Sequence, residues 1–451
     1  MAARKYNLQF AEILGFYAIF LAHLTKLKIL DVDTFKPLLK GTDLAKALGT
    51  KPGPWMKDAL DVVMAWQLRN PDSIDAATAI EAVKASRDQR TDSELPSRLA
   101  SHFLQLTIPP FFPQNKSTTN ALEASLRPAP WKDLGAQYTL DLLGWSIRAL
   151  NRKEIEAKWH LLVPPILKMI DDMDVAWKAK GCHFLGLLLG GLDQPSAEEV
   201  SVNTARKKQS SSNFLKRTGY HNVFVESLFP LFTYIPSLTS EVDAVTLFEE
   251  LFLALTTLAM ALPVEENSEG DVRYQFLDKI VREGILSPLA HFPTPSTYPE
   301  LATVITSHVQ ALLGHMGIES VKHLPDIIPL LSAVLQETFI ISHKALTMST
   351  LKALQAVMLN AWPRIPRHRG AIMMGLCLCW GRCIDEVTGN QEHAGEIKEE
   401  LQETVAMLDA VMQAVGEETC LRDEWEEEKR ELVETSPTHK GLFEGCELPR
   451  A

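Results

Sequence analysis

From Trp159 to Asp172 the chain runs through an apolar, Leu- and Ile-rich helical stretch that stops at paired aspartates. A short turn follows, and a second apolar stretch opens at Lys178-Ala179-Lys180-Gly181-Cys182-His183-Phe184-Leu185, with its lysines read as solvent-facing. This pair constrains the fold more than any other feature. Neither helix can bury its apolar side alone, so a hairpin of this kind must stack on another, and stacked hairpins grow into a solenoid.

The pattern continues. From Trp131 onward apolar residues recur at helical period, interrupted by polar breaks near Asn151, 194–213, 265–271, 292–299 and 362–370. No alternating apolar and polar run supports a sheet. The spacing fits hairpins of about 40 residues. The expected fold class is therefore all-α: a HEAT/armadillo-like helical solenoid with a small N-terminal helical module. Gly190-Gly191 is expected to end its helix. An acidic helix pair from Glu396 to Glu434, with Leu401, Val405, Leu408, Val411 and Met412 on one face, should cap the array.

The N-terminal part has a different texture. A helix from about Gln9 to Leu27 precedes a short helix capped by Thr42 or Asp43 and ended by Gly49. Pro54 then opens a further helix through Met56, Leu60, Val63 and Gln67, which Asn70-Pro71 stops. A polar helix from Asp75 to Ser86 trails into charged sequence. The proline-rich Thr107 to Pro130 reads as a strap. The expected organisation is a helical module over 1–90, a linker over 91–125, a solenoid over 126–440 and a flexible tail over 441–451.

Composition narrows function. A formal charge of −12 on 451 residues excludes a general polyanion binder and leaves room only for local basic patches. Cys182, Cys377, Cys379, Cys383, Cys420 and Cys446 are too sparse and uneven for a disulfide framework, which points to a reducing compartment. Arg4-Lys5 before Ile13 to Leu24 imitates a signal peptide, but Glu12 and His23 interrupt the apolar run and its period is helical. No stretch reaches the roughly 20 uninterrupted apolar residues of a membrane span.

Three places could carry contacts. Lys51, Gly53 and Trp55 sit in a Gly-Pro turn leading into a helix start, where unpaired N–H groups and the dipole suit a phosphate, with Lys46 and Lys57 nearby. Arg364, Arg367 and Arg369, with His368, occupy a proline-broken turn and could meet an acidic partner. Ser210, Ser211 and Ser212 follow Arg206-Lys207-Lys208 in a loop that phosphorylation would recharge. Cys379 and Cys383 share a helix face with Cys377 close by, yet no second pair completes a zinc set, so buried thiols are expected and no metal is assigned.

Two resemblances emerge from these segments. Arg127 to Lys132, Trp159 to Asp172, Arg217 to Phe224 with Phe229-Pro230, Gly284 to Leu286, Leu312 to Ile318 and Leu351 to Val357 occur in the order found in the Tti-two family. Residues from about 100 to 440 resemble that family, a Tel-Two-interacting subunit of the TTT complex whose fungal relatives are counted in the ASTRA assembly. The resemblance implies a HEAT-like co-chaperone scaffold. It would act with Tel-Two, the other TTT subunit and heat-shock chaperone machinery to support PIKK-class kinases in telomere and DNA-damage signalling, in cytoplasm and nucleus.

Pro37 to Leu44, Lys51 to Met56 and Ala65 to Pro71 carry the second resemblance. Residues from about 10 to 71 are similar to the C-terminal tail of fungal CCA-adding tRNA nucleotidyltransferases. In that family a glycine-rich turn and paired carboxylates in an N-terminal head hold the metal ions for nucleotidyl transfer. Neither occurs here: Asp31-Val32-Asp33 has no preceding glycine pair, and Gly190-Gly191 has no arginine-aspartate after it. The expectation is a non-enzymatic protein with no catalytic residues and no cofactor. The rival is a tRNA-binding protein derived from such an enzyme without its head, by gene fusion.

Overall fold

The computed structural model describes residues 38–51, 53, 55–70, 75–113, 129–193, 214–215, 217–262, 272–385, 391–416 and 421–444. The expected helix from Gln9 to Leu27, the Asp31-Asp33 pair and Ser210, Ser211 and Ser212 lie outside the described residues. All regular structure among the described residues is helical, as the apolar period predicts. The chain divides into two compact units, Met1–Leu99 and Ala100–Ala451.

The first unit contains α1 (Gly41–Ala47), α2 (Trp55–Arg69) and most of α3 (Ala76–His102). Its core is Leu44, Ala59, Val63 and Val83, with Leu38, Leu39, Leu48 and Val62 against it. Buried Gln67 stays satisfied by accepting from the Leu38 N–H at 3.0 Å. Lys40, not Thr42 or Asp43, is the N-cap of α1, and no side chain caps it; Asp43 instead favours the dipole from within the first turn. Gly49 takes φ +63° just past the helix, as expected.

The linker expected from residue 91 does not begin there, because α3 continues to His102. Ala100, Leu104, Ile108 and Phe112 recur every four residues, and all are buried in the core of the second unit. Phe112 stacks on Trp131 at 5.6 Å, and Trp131 meets Trp177 edge-on at 4.9 Å. Apolar anchoring of this size outweighs the turn tendency of the prolines.

The second unit continues with α4 (Tyr138–Ala149), α5 (Arg152–Ile170), α6 (Val175–Asp193), α7 (Tyr220–Leu228), α8 (Glu241–Ala261) and α9 (Val272–Ile280). A π-turn over Val281–Leu286 leads to α10 (Ser287–His291), then α11 (Pro299–Met316), α12 (Leu324–Leu335) and α13 (Lys344–Ala361). The last helices are α14 (Arg369–Asp385), α15 (Gln391–Gly416) and α16 (Leu421–Thr435). Their packing follows chain order. Along one row α6 packs on α8, α8 on α11, α11 on α13 and α13 on α15. In the other row α5 backs α6, α7 backs α8, α12 backs α13 and α14 backs α15. Each hairpin thus covers the apolar face of the next, the device that the pair at Trp159 to Leu185 requires.

Within the first of these hairpins, Asn151 and Glu154 form a reciprocal capping box that starts α5. Leu162, Val163, Ile166 and Met169 are buried, while Leu167 is only half-buried. Lys178 is not solvent-facing as read from the sequence: it is buried, donates to the Ile170 carbonyl at 3.0 Å and lies over the Tyr234 ring. Gly190 and Gly191 do not end the helix, since α6 runs to Asp193. A Cβ on Gly191 would lie 2.6 Å from Ile155 Cδ1, so this glycine allows α5 to approach α6 closely.

The helix α8 is long and apolar enough to cross a membrane by length and composition. Leu247, Phe248, Leu251, Phe252, Leu255 and Leu258 on it are fully buried, and α6 and α11 cover it from both sides. A helix apolar on most faces belongs at the centre of such a stack.

Carboxylates bracket successive hairpins. Glu241 Oε1 accepts from the N–H groups of Glu300 and Leu301 at 3.1 and 3.4 Å, and Glu337 accepts from the Ser296 N–H. Arg382 donates to the carbonyl of Leu335 at the far end of α12. These contacts satisfy helix-terminal groups that have no partner inside their own helix. The expected tail also differs. Pro437–Phe443 forms a 3-10 segment with Leu442 and Phe443 buried, held by Trp380 Nε1 to the Thr438 carbonyl and Gln402 Nε2 to the Gly441 carbonyl. Burial of these two large apolar side chains keeps the segment docked; residues from 445 lie outside the described residues.

Candidate protein-docking surface

At the first candidate turn, Lys51, Lys46 and Lys57 are exposed and Gly53 is half-buried. The Gly53 carbonyl accepts from the Met56 N–H at 3.1 Å, which fixes the entry into α2, and Trp55 is the first residue of that helix.

The arginine turn is a 3-10 segment, Trp362–His368, that leads into α14. It splits the expected trio. Arg364 and Arg367 are exposed, whereas Arg369 is taken by α16: its Nε and Nη2 donate to Glu428 at 3.0 and 2.7 Å, and Glu424 lies 3.5 Å away. The hydrogen bond to Glu428 raises the guanidinium's already high pKa further. Arg369 is therefore a structural clasp between two helices, and a partner would meet Arg364 and Arg367.

That clasp closes one end of a groove of about 650 Å³ between α14 and α16. Met373, Met374, Cys377, Leu378, Trp425 and Leu432 supply its apolar surface, and Glu428 and Glu431 stand at its edge. Met374 and Leu378, one helical turn apart, remain 53% and 45% exposed. Trp362 at the arginine turn is 47% exposed, so the apolar surface extends beside Arg364 and Arg367. The sequence does carry the spacing of Met373 with Cys377 and Met374 with Leu378; it does not reveal that α16 stands opposite.

Cys182, Cys379 and Cys383 are buried thiols, whereas Cys377, expected to be buried, is half-buried; Cys420 and Cys446 lie outside the described residues. Cys379 and Cys383 hydrogen-bond to each other, and that bond with burial holds the Cys379 thiol well above its ordinary pKa. Burial pushes Cys377, in the groove, up to about 11. Cys377 and Cys379 are thus poor nucleophiles at neutral pH. Among the described residues no group of three or more Cys, His, Asp or Glu has the arrangement of a metal site.

Two polar clusters had no sequence signal. Buried Asp278 accepts from Lys322 and Arg282 and lies 2.9 Å from His323 Nε2. Burial opposes its charge, but the two cationic donors outweigh that and lower its pKa. Burial lowers the pKa of His323 against the pull of Asp278. The second cluster joins α15 to α16: Asp409 accepts from Trp425 Nε1 at 2.8 Å and from fully buried Lys429 at 2.7 Å. Both tie one element to its neighbour.

Comparison with known proteins gives two matches of different kinds. Over 70 residues the chain is 54% identical to "Nucleotidyltransferase lcsQ" of Purpureocillium lilacinum. That stretch is 16% of this chain, which spans only 12% of the length of that relative. No solved structure matches. The family model described as "Tti2 family" matches residues 65–342, beginning earlier and ending earlier than the 100–440 suggested by the sequence segments. That match covers more than half of the chain, and with the stacked hairpins in hand the conclusion follows that this chain belongs to the Tti2 family.

Proposed function

We propose that this protein is a non-enzymatic scaffold subunit of a TTT-like complex, acting with Tel-Two and the other TTT subunit. In this reading it holds PIKK-class kinases for heat-shock chaperone machinery, in the cytoplasm and nucleus. Membership of the Tti2 family is the observation that carries the reading. The physics supports it: stacked hairpins present a long side-chain surface, and exposed Met173, Leu238, Phe339, Met374 and Leu378 offer apolar anchors along it. Affinity purification of the tagged full chain should recover Tel-Two, and depleting the protein should lower steady-state PIKK-class kinase levels. Unchanged kinase levels together with no recovery of Tel-Two would refute the assignment.

A second reading rests on the short identity to a nucleotidyltransferase. In it the N-terminal unit contacts tRNA through Lys51, Gly53 and Trp55. Binding of tRNA by the full chain should then fall with added salt as counterion release weakens, and fall further in Lys51→Glu. Salt-independent binding, or none, would leave that turn with its part in starting α2.

A further inference from the structure

The groove between α14 and α16 has a definite shape and a definite charge, and together they specify an occupant. Both helices pack against α15 and leave an open slot between them. One end is shut by the Arg369–Glu428 pair, and Pro437–Phe443 packs against both helices as well as α15. The walls are apolar and rich in methionine, a side chain whose flexible thioether fits irregular apolar partners. On α16 acidic residues outnumber basic ones seven to three: Asp423, Glu424, Glu426, Glu427, Glu428, Glu431 and Glu434 against Arg422, Lys429 and Arg430. Lys429 is buried on Asp409 and Glu426, so it does not offset the outer charge. Of the acidic residues, Asp423, Glu424, Glu427, Glu431 and Glu434 are exposed.

We propose that this groove takes a short amphipathic helix from a protein partner, its apolar side chains seated on Met374, Leu378 and Leu432 and its lysines or arginines facing Glu427, Glu431 and Glu434. The proposal deepens the scaffold reading and rests on it. An apolar stripe fills the slot, and the acidic wall selects the flanking charge and speeds encounter. Gly370, in the first turn of α14 beside that pair, also lines the groove, and a Cβ there would meet nothing within 4 Å.

The test uses the full chain and a fluorescent helical peptide with leucines at i, i+3, i+4 and i+7 and lysines elsewhere, read by anisotropy. The comparison peptide replaces every lysine with glutamate. The lysine peptide should bind and the glutamate peptide should not. Met374→Lys with Leu378→Lys should weaken the lysine peptide at least about tenfold, as loss of central anchors does. Both side chains are half-exposed, so the melting temperature should hold and loss of fold should not confuse the result. Glu431→Lys should weaken binding less and flatten its salt dependence. Equal binding of the two peptides, or binding unmoved by the double substitution, overturns the proposal. So does a chain that sediments as a dimer and becomes monomeric on the double substitution, because the occupant would then be a second copy. Recovery of Tel-Two by the full chain is scored separately: if it persists while peptide binding fails, the groove is wrong and the scaffold reading stands.

Discussion

The N-terminal unit and the hairpin stack are opposites in how they are recognised and how they are held. The first carries compact, specific sequence strings, and among its described residues the apolar cluster is Leu44, Ala59, Val63 and Val83 with a few half-buried neighbours. The second has no single signature string, yet one continuous apolar core runs through it from Ala100 to Phe443. Similarity of sequence and depth of packing are thus separate quantities in this chain. A stack shares its stability among neighbouring hairpins, so a defect in one is felt by the next.

The largest expected effect lies in the stack. Ile166 is fully buried between α5 and its neighbours, and Ile166→Asp would place an unpaired charge there at a cost of about 4 kcal/mol or more. Circular dichroism in urea should show the loss spreading beyond α5, since adjacent hairpins lose their support. Trp131→Ala comes next. It removes a fully buried indole packed on Phe112 and Trp177, for about 3–4 kcal/mol. A melting curve unchanged by it would show that residues 100–131 do not belong to the cooperative stack.

A pH measurement sharpens the same contrast. His308 stacks on Phe252 at 4.5 Å, and burial lowers its pKa from 6.5 to about 4. A histidine with a depressed folded-state pKa contributes fully above its unfolded value and loses that contribution as pH falls. Stability should therefore drop between pH 6.5 and about 4, by roughly 2–3 kcal/mol. His308→Phe should flatten that slope, read by denaturant midpoints across the range. The smallest effect is at the clasp: Arg369→Ala should cost about 1 kcal/mol by removing a half-exposed ion pair, with α16 loosening first in hydrogen exchange.

The hairpin pattern was readable because its cause is local. The break at Asn151 coincides with a capping box, and those at 292–299 and 362–370 each contain a 3-10 segment. The breaks at Gly317–His323 and around Ile340–Ser342 are masked in the sequence, since apolar residues such as Ile318, Ile340 and Ile341 continue through them. Gly191 reads as a helix stop because a glycine needed for close approach to Ile155 looks the same in one dimension. Lys178 reads as solvent-facing because its partners, Ile170 and Tyr234, are supplied by folding. The candidate site was less legible for the same reason. Arg369 and Glu428 are 59 positions apart, so a turn that reads as a free arginine cluster loses one member to a distant helix.

The account stands or falls on which region engages the partner. Matched substitutions answer this in the full chain: Ile166→Asp in the stack and Val63→Asp in the N-terminal core, both positions fully buried. The measurement is recovery of Tel-Two with the tagged protein, normalised to the amount of protein captured. The account predicts that Ile166→Asp abolishes recovery while Val63→Asp leaves it near that of the unsubstituted chain. Recovery lost with Val63→Asp and retained with Ile166→Asp would contradict it.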